Sequence, residues 1–128
     1  AAGWVTGSAG TWIEQPGGAH PRAIRAAQQA GLDLSEHRAR EVTFAILADA
    51  DLILTMEAGQ KEALQIEFAA QREKIFLLSE FSTGKTYDIP DPARDRFVHA
   101  DEIAAHLFSE IDRAFPVILR RFAPSGPP

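Results

Sequence analysis

Few residues in this chain could do chemistry. The stretch Asp88-Ile89-Pro90-Asp91-Pro92 sets two carboxyls among prolines, and Asp91, followed by Pro92, sits on a stiff loop that can hold a carboxyl over a site. The chemistry open to such a group is proton transfer. Taken alone, the same stretch also reads as a surface turn. Ser8 reads as a strand-end residue and His37 as a loop histidine, and neither by itself marks a site. The run from Ser79 to Thr86 ends like a nucleotide-binding phosphate loop. It lacks the leading glycine, however, and Tyr87-Asp88-Ile89-Pro90 cannot open the helix that such a loop requires. His99 and His106 lie seven residues apart on one expected helix without acidic or thiolate partners, so no metal site is assigned. The 128 residues hold no cysteine, which removes thiol nucleophiles, thiolate metal sites and disulfides together.

The composition bounds what these residues can serve. One globular domain is expected at 128 residues with 45% hydrophobic content. The formal net charge is −5 with both signs interspersed, which gives no basic footprint for nucleic acid. No apolar stretch approaches the roughly 20 residues of a membrane helix. Ala1-Ala2-Gly3-Trp4 also lacks the pattern of a secretion signal, so a soluble, cytoplasmic protein without a membrane partner is expected. Ala rather than Met stands first, and the sequence reads as a trimmed or incomplete copy of a longer protein.

The elements that must position these residues follow from periodicity and punctuation. Trp4 to Ser8 reads as a short strand, followed by a glycine- and proline-rich loop to His20. A helix from Pro21 to Ala30 carries Ala23, Ile24 and Ala27 on one stripe and stops at Gly31. Thr43 caps a short helix through Leu47. Asp51-Leu52-Ile53-Leu54-Thr55-Met56 and Ile75-Phe76-Leu77-Leu78 are apolar without alternation, as parallel strands covered on both faces are. Between them a helix from about Ala58 to Gln71 buries Leu64 and Phe68. A long loop from Ser79 to Asp95 precedes a last helix, His99 to Phe122, with Ile103, Leu107, Ile111, Phe115, Ile118 and Phe122 on one face and a kink expected at Pro116. This order predicts a layered α/β fold with a parallel sheet, whose ligand site lies beyond the carboxyl ends of the strands. The loops concerned are 8–14, 55–58 and 79–95.

Four segments in order, Ser8-Ala9-Gly10-Thr11, Ser35-Glu36-His37-Arg38-Ala39-Arg40, Asp51-Leu52-Ile53-Leu54-Thr55-Met56 and Asp88-Ile89-Pro90-Asp91-Pro92, resemble the low-molecular-weight protein tyrosine phosphatase family. Each is weak alone; their joint spacing is specific, and the resemblance runs from Trp4 to about Phe122. It implies a three-layer α/β sandwich with a four-stranded parallel sheet. It also implies hydrolysis of phosphotyrosine or other phosphomonoesters without a metal or other cofactor, through a phosphocysteine intermediate. Asp91 is then the general acid that protonates the leaving oxygen. Ser8 and His37 are supports that hydrogen-bond beneath the phosphate loop, and Trp12 offers one aromatic wall of the substrate pocket. Where family members usually carry further pocket aromatics, this sequence has Glu14, Ala93 and Arg94, which leaves no second ring to stack on and sets a negative charge against an anionic substrate.

The family's central first strand and its C-x5-R phosphate loop have no counterpart here, since the sequence begins where the second strand of the family begins. The expected domain is therefore 1–122, incomplete at its N-terminus, with 123–128 as a flexible tail. As given it is expected to be inactive. With the missing segment restored, its partner would be a phosphorylated protein or small phosphomonoester. The alternative is a non-catalytic interaction module on the phosphatase scaffold, in which a homo-oligomer completes the sheet.

Overall fold

His20 opens the first helix. Its Nδ1 accepts from the Arg22 amide at 3.1 Å, and Pro21 takes a first-turn position where no backbone donor is needed. Helix α1 then spans Pro21–Gln29 in the computed structural model, which describes residues 4–10, 17–91 and 100–122. Gly31 follows at φ +81°, a conformation that strains any residue bearing a Cβ, and ends the helix where the sequence predicts. Thr43 Oγ1 accepts from the Ile46 amide at 3.2 Å and starts α2, Phe44–Asp49. The far end of α2 is closed by Lys74, whose Nζ donates to the carbonyls of Leu47, Ala48 and Ala50 at 3.4, 3.2 and 2.9 Å. A cation on these last carbonyls also suits the helix dipole.

Strands β1, Ile53–Thr55, and β2, Ile75–Leu77, pair in parallel with Ile53 opposite Ile75, Leu54 opposite Phe76 and Thr55 opposite Leu77. Helix α3, Ala58–Glu67, and a 3₁₀ stretch, Ala69–Lys74, make the crossover. Because side chains alternate across a strand, this register gives the ribbon two apolar faces. Ile53 and Ile75 pack with Leu47, Leu64 and Phe68 on one side. Leu54 and Phe76 pack on the other with Leu78, Phe81, Ile89 and Ala114. These last come from α4, Leu78–Ser82, from the loop after it and from α5, Ala100–Phe122. Helix layers on both faces of a parallel sheet are the predicted α/β architecture.

Several expectations need correction. Trp4 to Ser8 forms no strand: Val5 is 96% exposed, and the nearest ladder contact among the described residues is an isolated bridge from Gly10 to Glu41. A strand exists only against a partner, and among the described residues the sheet has two strands. The expected loop at 79–95 begins as helix α4, because Glu80 Oε2 turns back to accept from the Leu77 amide at 2.6 Å. The helix after β1 ends at Glu67 and tightens into the 3₁₀ stretch. Along α5 the buried face is centred on Glu110 and Ala114, while Ile111 and Phe115 are exposed. Pro116 lies inside α5 without ending it. It and Asp112 are both exposed, so the carbonyl deprived of its donor sits on the solvent side. The tail 123–128 and His99 lie outside the described residues.

Ile75, 2% exposed between the strands and α3, should be a position of large loss: Ile75→Ala is expected to cost about 2–5 kcal/mol in urea unfolding. Ile66 on the same crossover is 74% exposed, and Ile66→Ala should move stability by about 0.5 kcal/mol or less. Equal losses at the two sites would contradict the burial described.

Candidate active site

Beyond the carboxyl ends of the strands, the segment 87–91 is fastened to its surroundings at successive residues. Ser79, fully buried in α4, takes both backbone groups of Tyr87: its Oγ donates to the Tyr87 carbonyl at 3.1 Å and accepts from the Tyr87 amide at 3.2 Å. Asp88 Oδ1 accepts from the Ala58 amide at 2.7 Å, satisfying an orphan donor at the start of α3. The Ile89 amide donates to the Met56 carbonyl at 2.9 Å, and the Ile89 side chain is buried in the α4–α5 core. The loop after β2 is thus stitched to the loop after β1. Asp91 follows two residues later and is exposed.

The second part of the site lies on the loops around residues 8 and 37. Asp33 Oδ1 accepts from the Ser35 amide at 2.9 Å, and this bond holds the Asp33 carboxyl below the ordinary range. The turn continues with the His37 amide donating to the Leu34 carbonyl at 3.0 Å, and Ala39 N–H reaches the Gly17 carbonyl at 2.7 Å. Arg40 Nε donates to the Ser8 carbonyl at 2.9 Å. These bonds bring Ser8 and His37 together as walls of one open cavity of about 300 Å³, with Gly10 and Arg40 beside them. Asp91 does not line this cavity. Trp12, Glu14, Ala93 and Arg94 lie outside the described residues. Among the described residues no cluster of three or more His, Asp or Glu side chains is placed to hold a metal ion.

The sequence reading passed over Glu110, which is 0% exposed. Tyr87 Oη donates to its carboxylate, standing 2.7 and 2.8 Å from the two oxygens. Ser82 Oγ donates to it as well, and Arg113 reaches it at 2.9 Å. Burial pushes the Glu110 carboxyl up, but the hydrogen bonds from Ser82, Tyr87 and Arg113, with the Arg113 charge, outweigh it and leave the group below its ordinary value. A sequence signal existed: Glu110 falls three residues after Leu107 and four before Ala114, on the apolar stripe rather than opposite it.

Parallel strands with helix layers on both sides, and a proline-flanked aspartate after the second strand, define an α/β protein with its candidate site at the carboxyl end of the sheet. The family model described as "Low molecular weight phosphotyrosine protein phosphatase" matches residues 3–122, and the chain belongs to that family. Among curated relatives, a probable low molecular weight protein-tyrosine-phosphatase, EpsP, of Ralstonia nicotianae is 33% identical over 100 residues, spanning 78% of this chain and 67% of its own. A protein-arginine-phosphatase of Bacillus subtilis is 33% identical over 85 residues, 66% of this chain and 56% of that protein. The crystal structure of a low molecular weight protein tyrosine phosphatase from T. tengcongensis superposes with a TM-score of 0.78 at 29% identity, covering 86% of this chain and 75% of that one. An arginine phosphatase from Geobacillus stearothermophilus shares the fold, with a TM-score of 0.86 at 22% identity, over 100% of this chain and 83% of that one.

Two measurements follow from this geometry. Asp88→Ala removes the acceptor at the start of α3 and should cost about 0.5–2 kcal/mol in urea unfolding. Glu110→Gln should cost about 1–3 kcal/mol at neutral pH. Because the folded carboxyl lies below its ordinary 4.5, its contribution is complete above that value and is lost as pH falls through the folded value. The gap between wild type and Glu110→Gln should therefore close on acidification; a gap independent of pH would contradict a stabilised carboxylate.

Proposed function

We propose that this chain carries the acid and scaffold portion of a phosphatase that hydrolyses phosphomonoesters, on a phosphorylated protein or a small phosphorylated molecule. The observation that supports it best is the placement of Asp91. It directly follows a segment pinned to both strand-end loops, at the end of the sheet where α/β proteins bind ligands. In the reaction of the family a thiolate attacks phosphorus, the bond to the leaving oxygen breaks, and an aspartic acid supplies that oxygen with its proton. Water then cleaves the phosphocysteine. On this reading Asp91 is the acid, while Ser8 and His37, which share one cavity, support the phosphate loop.

The 128 residues contain no thiol, so on this reading they do not carry the reaction by themselves. The relatives act on different phosphorylated residues by name, tyrosine and arginine. Glu14, Ala93 and Arg94, where aromatic pocket residues would stand, argue against a pocket built to sandwich a phenol ring. A reducing, cytoplasmic setting suits thiolate chemistry. No described helix is long and apolar enough to cross a membrane.

A second reading, a non-catalytic module that self-associates by completing its sheet, is favoured by one observation: among the described residues β1 and β2 pair only with each other. A concentration-independent monomer in sedimentation would count against it.

The phosphatase reading is tested with p-nitrophenyl phosphate. The 128-residue chain should show no turnover above background, and the same chain extended by an upstream strand and C-x5-R loop should be active. In that extended protein Asp91→Asn should lower kcat about 10²- to 10⁴-fold. Turnover by the 128 residues alone would remove the need for a thiol, and a neutral Asp91→Asn would remove Asp91 as the acid.

A further inference from the structure

The carboxylate of Glu110 is buried to 0% exposure yet belongs to none of the roles assigned above. Ionised groups so deeply placed are retained where their partners need them, since removing the charge from water is costly. Its partners fall into two sets. Arg113 and His106, one turn to either side on the same helix and 2.9 and 3.7 Å from the carboxylate, are about half-exposed and could pair with a carboxylate anywhere on that surface. His106 thus has an acidic neighbour, contrary to the sequence expectation. Ser82 and Tyr87 come from elsewhere: Ser82 from the end of α4, and Tyr87 from the loop that leads to Asp91.

Tyr87 is held from both ends. Its phenol donates to Glu110, and its amide and carbonyl are both taken by Ser79 Oγ. Ser79 and Ser82 lie on α4, so α4 and Glu110 together form a socket for this one residue. Immediately beyond it, Asp88 caps the amide of Ala58 and the Ile89 amide meets the Met56 carbonyl. Of these hydrogen bonds, Tyr87–Glu110 is the one that reaches α5, against which the Ile89 side chain also packs. Gly84, at φ +79°, and the exposed residues 83–86 before it carry little packing of their own. The loop thus depends on what grips it from Tyr87 onward.

We propose that Glu110 is a positioning residue: through Tyr87 it fixes the segment 87–91 and so sets where the Asp91 carboxyl stands. The inference rests on the reading of Asp91 as the proton donor. It does not place Glu110 in contact with substrate. Its role is to hold a short, otherwise polar loop in one arrangement, so that the carboxyl arrives oriented rather than searching for its place.

The test uses the 128-residue chain and needs no turnover. Amide hydrogen exchange at Ile89 and Ala58, the donors to Met56 and Asp88, reads the fastening of the loop, while Ile75 to Leu77 reads the sheet. Both Glu110→Gln and Tyr87→Phe should speed exchange at Ile89 and Ala58 by about tenfold or more relative to the sheet. Arg113→Ala, which removes the shorter of two ion-pair contacts to the same carboxylate but leaves the phenol bonded, should change it by less than about threefold. Tyr87 is the chain's single tyrosine, so a ¹³C label on its ring gives one resonance. Its Cζ shift should move in Glu110→Gln and stay in place in Arg113→Ala. Tyr87→Phe removes one hydroxyl and keeps the ring, which makes it informative even where Glu110→Gln folds poorly. Unchanged exchange at Ile89 in Tyr87→Phe, or an effect of Arg113→Ala as large as that of Tyr87→Phe, overturns the proposal. In the protein extended by the upstream strand and C-x5-R loop, faster exchange at Ile89 in Tyr87→Phe with kcat unchanged would strike the reading of Asp91 as the acid separately, because exchange registers the loop whether or not the acid is used.

Discussion

The parallel register of Ile53–Thr55 against Ile75–Leu77 is the constraint on which the remaining structure depends. With Ile53 facing Ile75 and Leu54 facing Phe76, the ribbon presents one apolar face to α2 and α3 and the other to α4 and α5. A slip of one residue would exchange the two faces and set every packed side chain against the wrong helix. Parallel pairing also requires a crossover between the strands, which α3 and the 3₁₀ stretch provide. Both strands then end on the same side of the molecule, and the loops that follow them can touch. Asp88 on Ala58 and Ile89 on Met56 are the direct result.

Charge placement reinforces this arrangement at three points. Lys74 neutralises the carbonyl end of α2, and Glu80 starts α4 while pairing with Lys61 at 3.0 Å. The Glu80 carboxyl is raised by burial, but the Leu77 amide and Lys61 outweigh this and leave it below its ordinary value. Arg121 lies over the rings of Phe76, Phe81 and Phe122 at 5.3, 5.4 and 5.7 Å, capping the outer side of the α4–α5 core with a cation on aromatic faces. Glu110 differs from these in being wholly enclosed, which is why its hydrogen bonds decide its ionisation.

Much of this was legible in the residues. Local rules found α1, with Pro21 at its start and Gly31 at its stop, and the Thr43 cap of α2. Unbroken apolar runs found both strands. The same rules failed where a contact across the fold decides the conformation. Trp4 to Ser8 has strand-forming residues, but β pairing is a property of two segments, and among the described residues no ladder forms there. Residues 78–82 have a loop-like composition rich in serine, but the Glu80 carboxylate supplies the turn that makes them helical. Ile111 and Phe115 fit the helical period, yet Glu110 holds the buried position because Tyr87 and Ser82 reach it there. No helical period can foresee a hydrogen-bond partner arriving from a distant loop.

The sequence by itself determined the chemistry that is possible: no thiol among these residues, an aspartate set between prolines, and four segments whose spacing marks the family. Those are matters of residue type and order, which folding does not alter. Only the tertiary structure decided that Ser8 and His37 share a cavity, that 87–89 is bound to the start of α3, and that a carboxylate from α5 reaches the tyrosine four residues before Asp91. Each of these joins residues far apart in the chain, where the free energy of a contact depends on burial and geometry that no local pattern encodes.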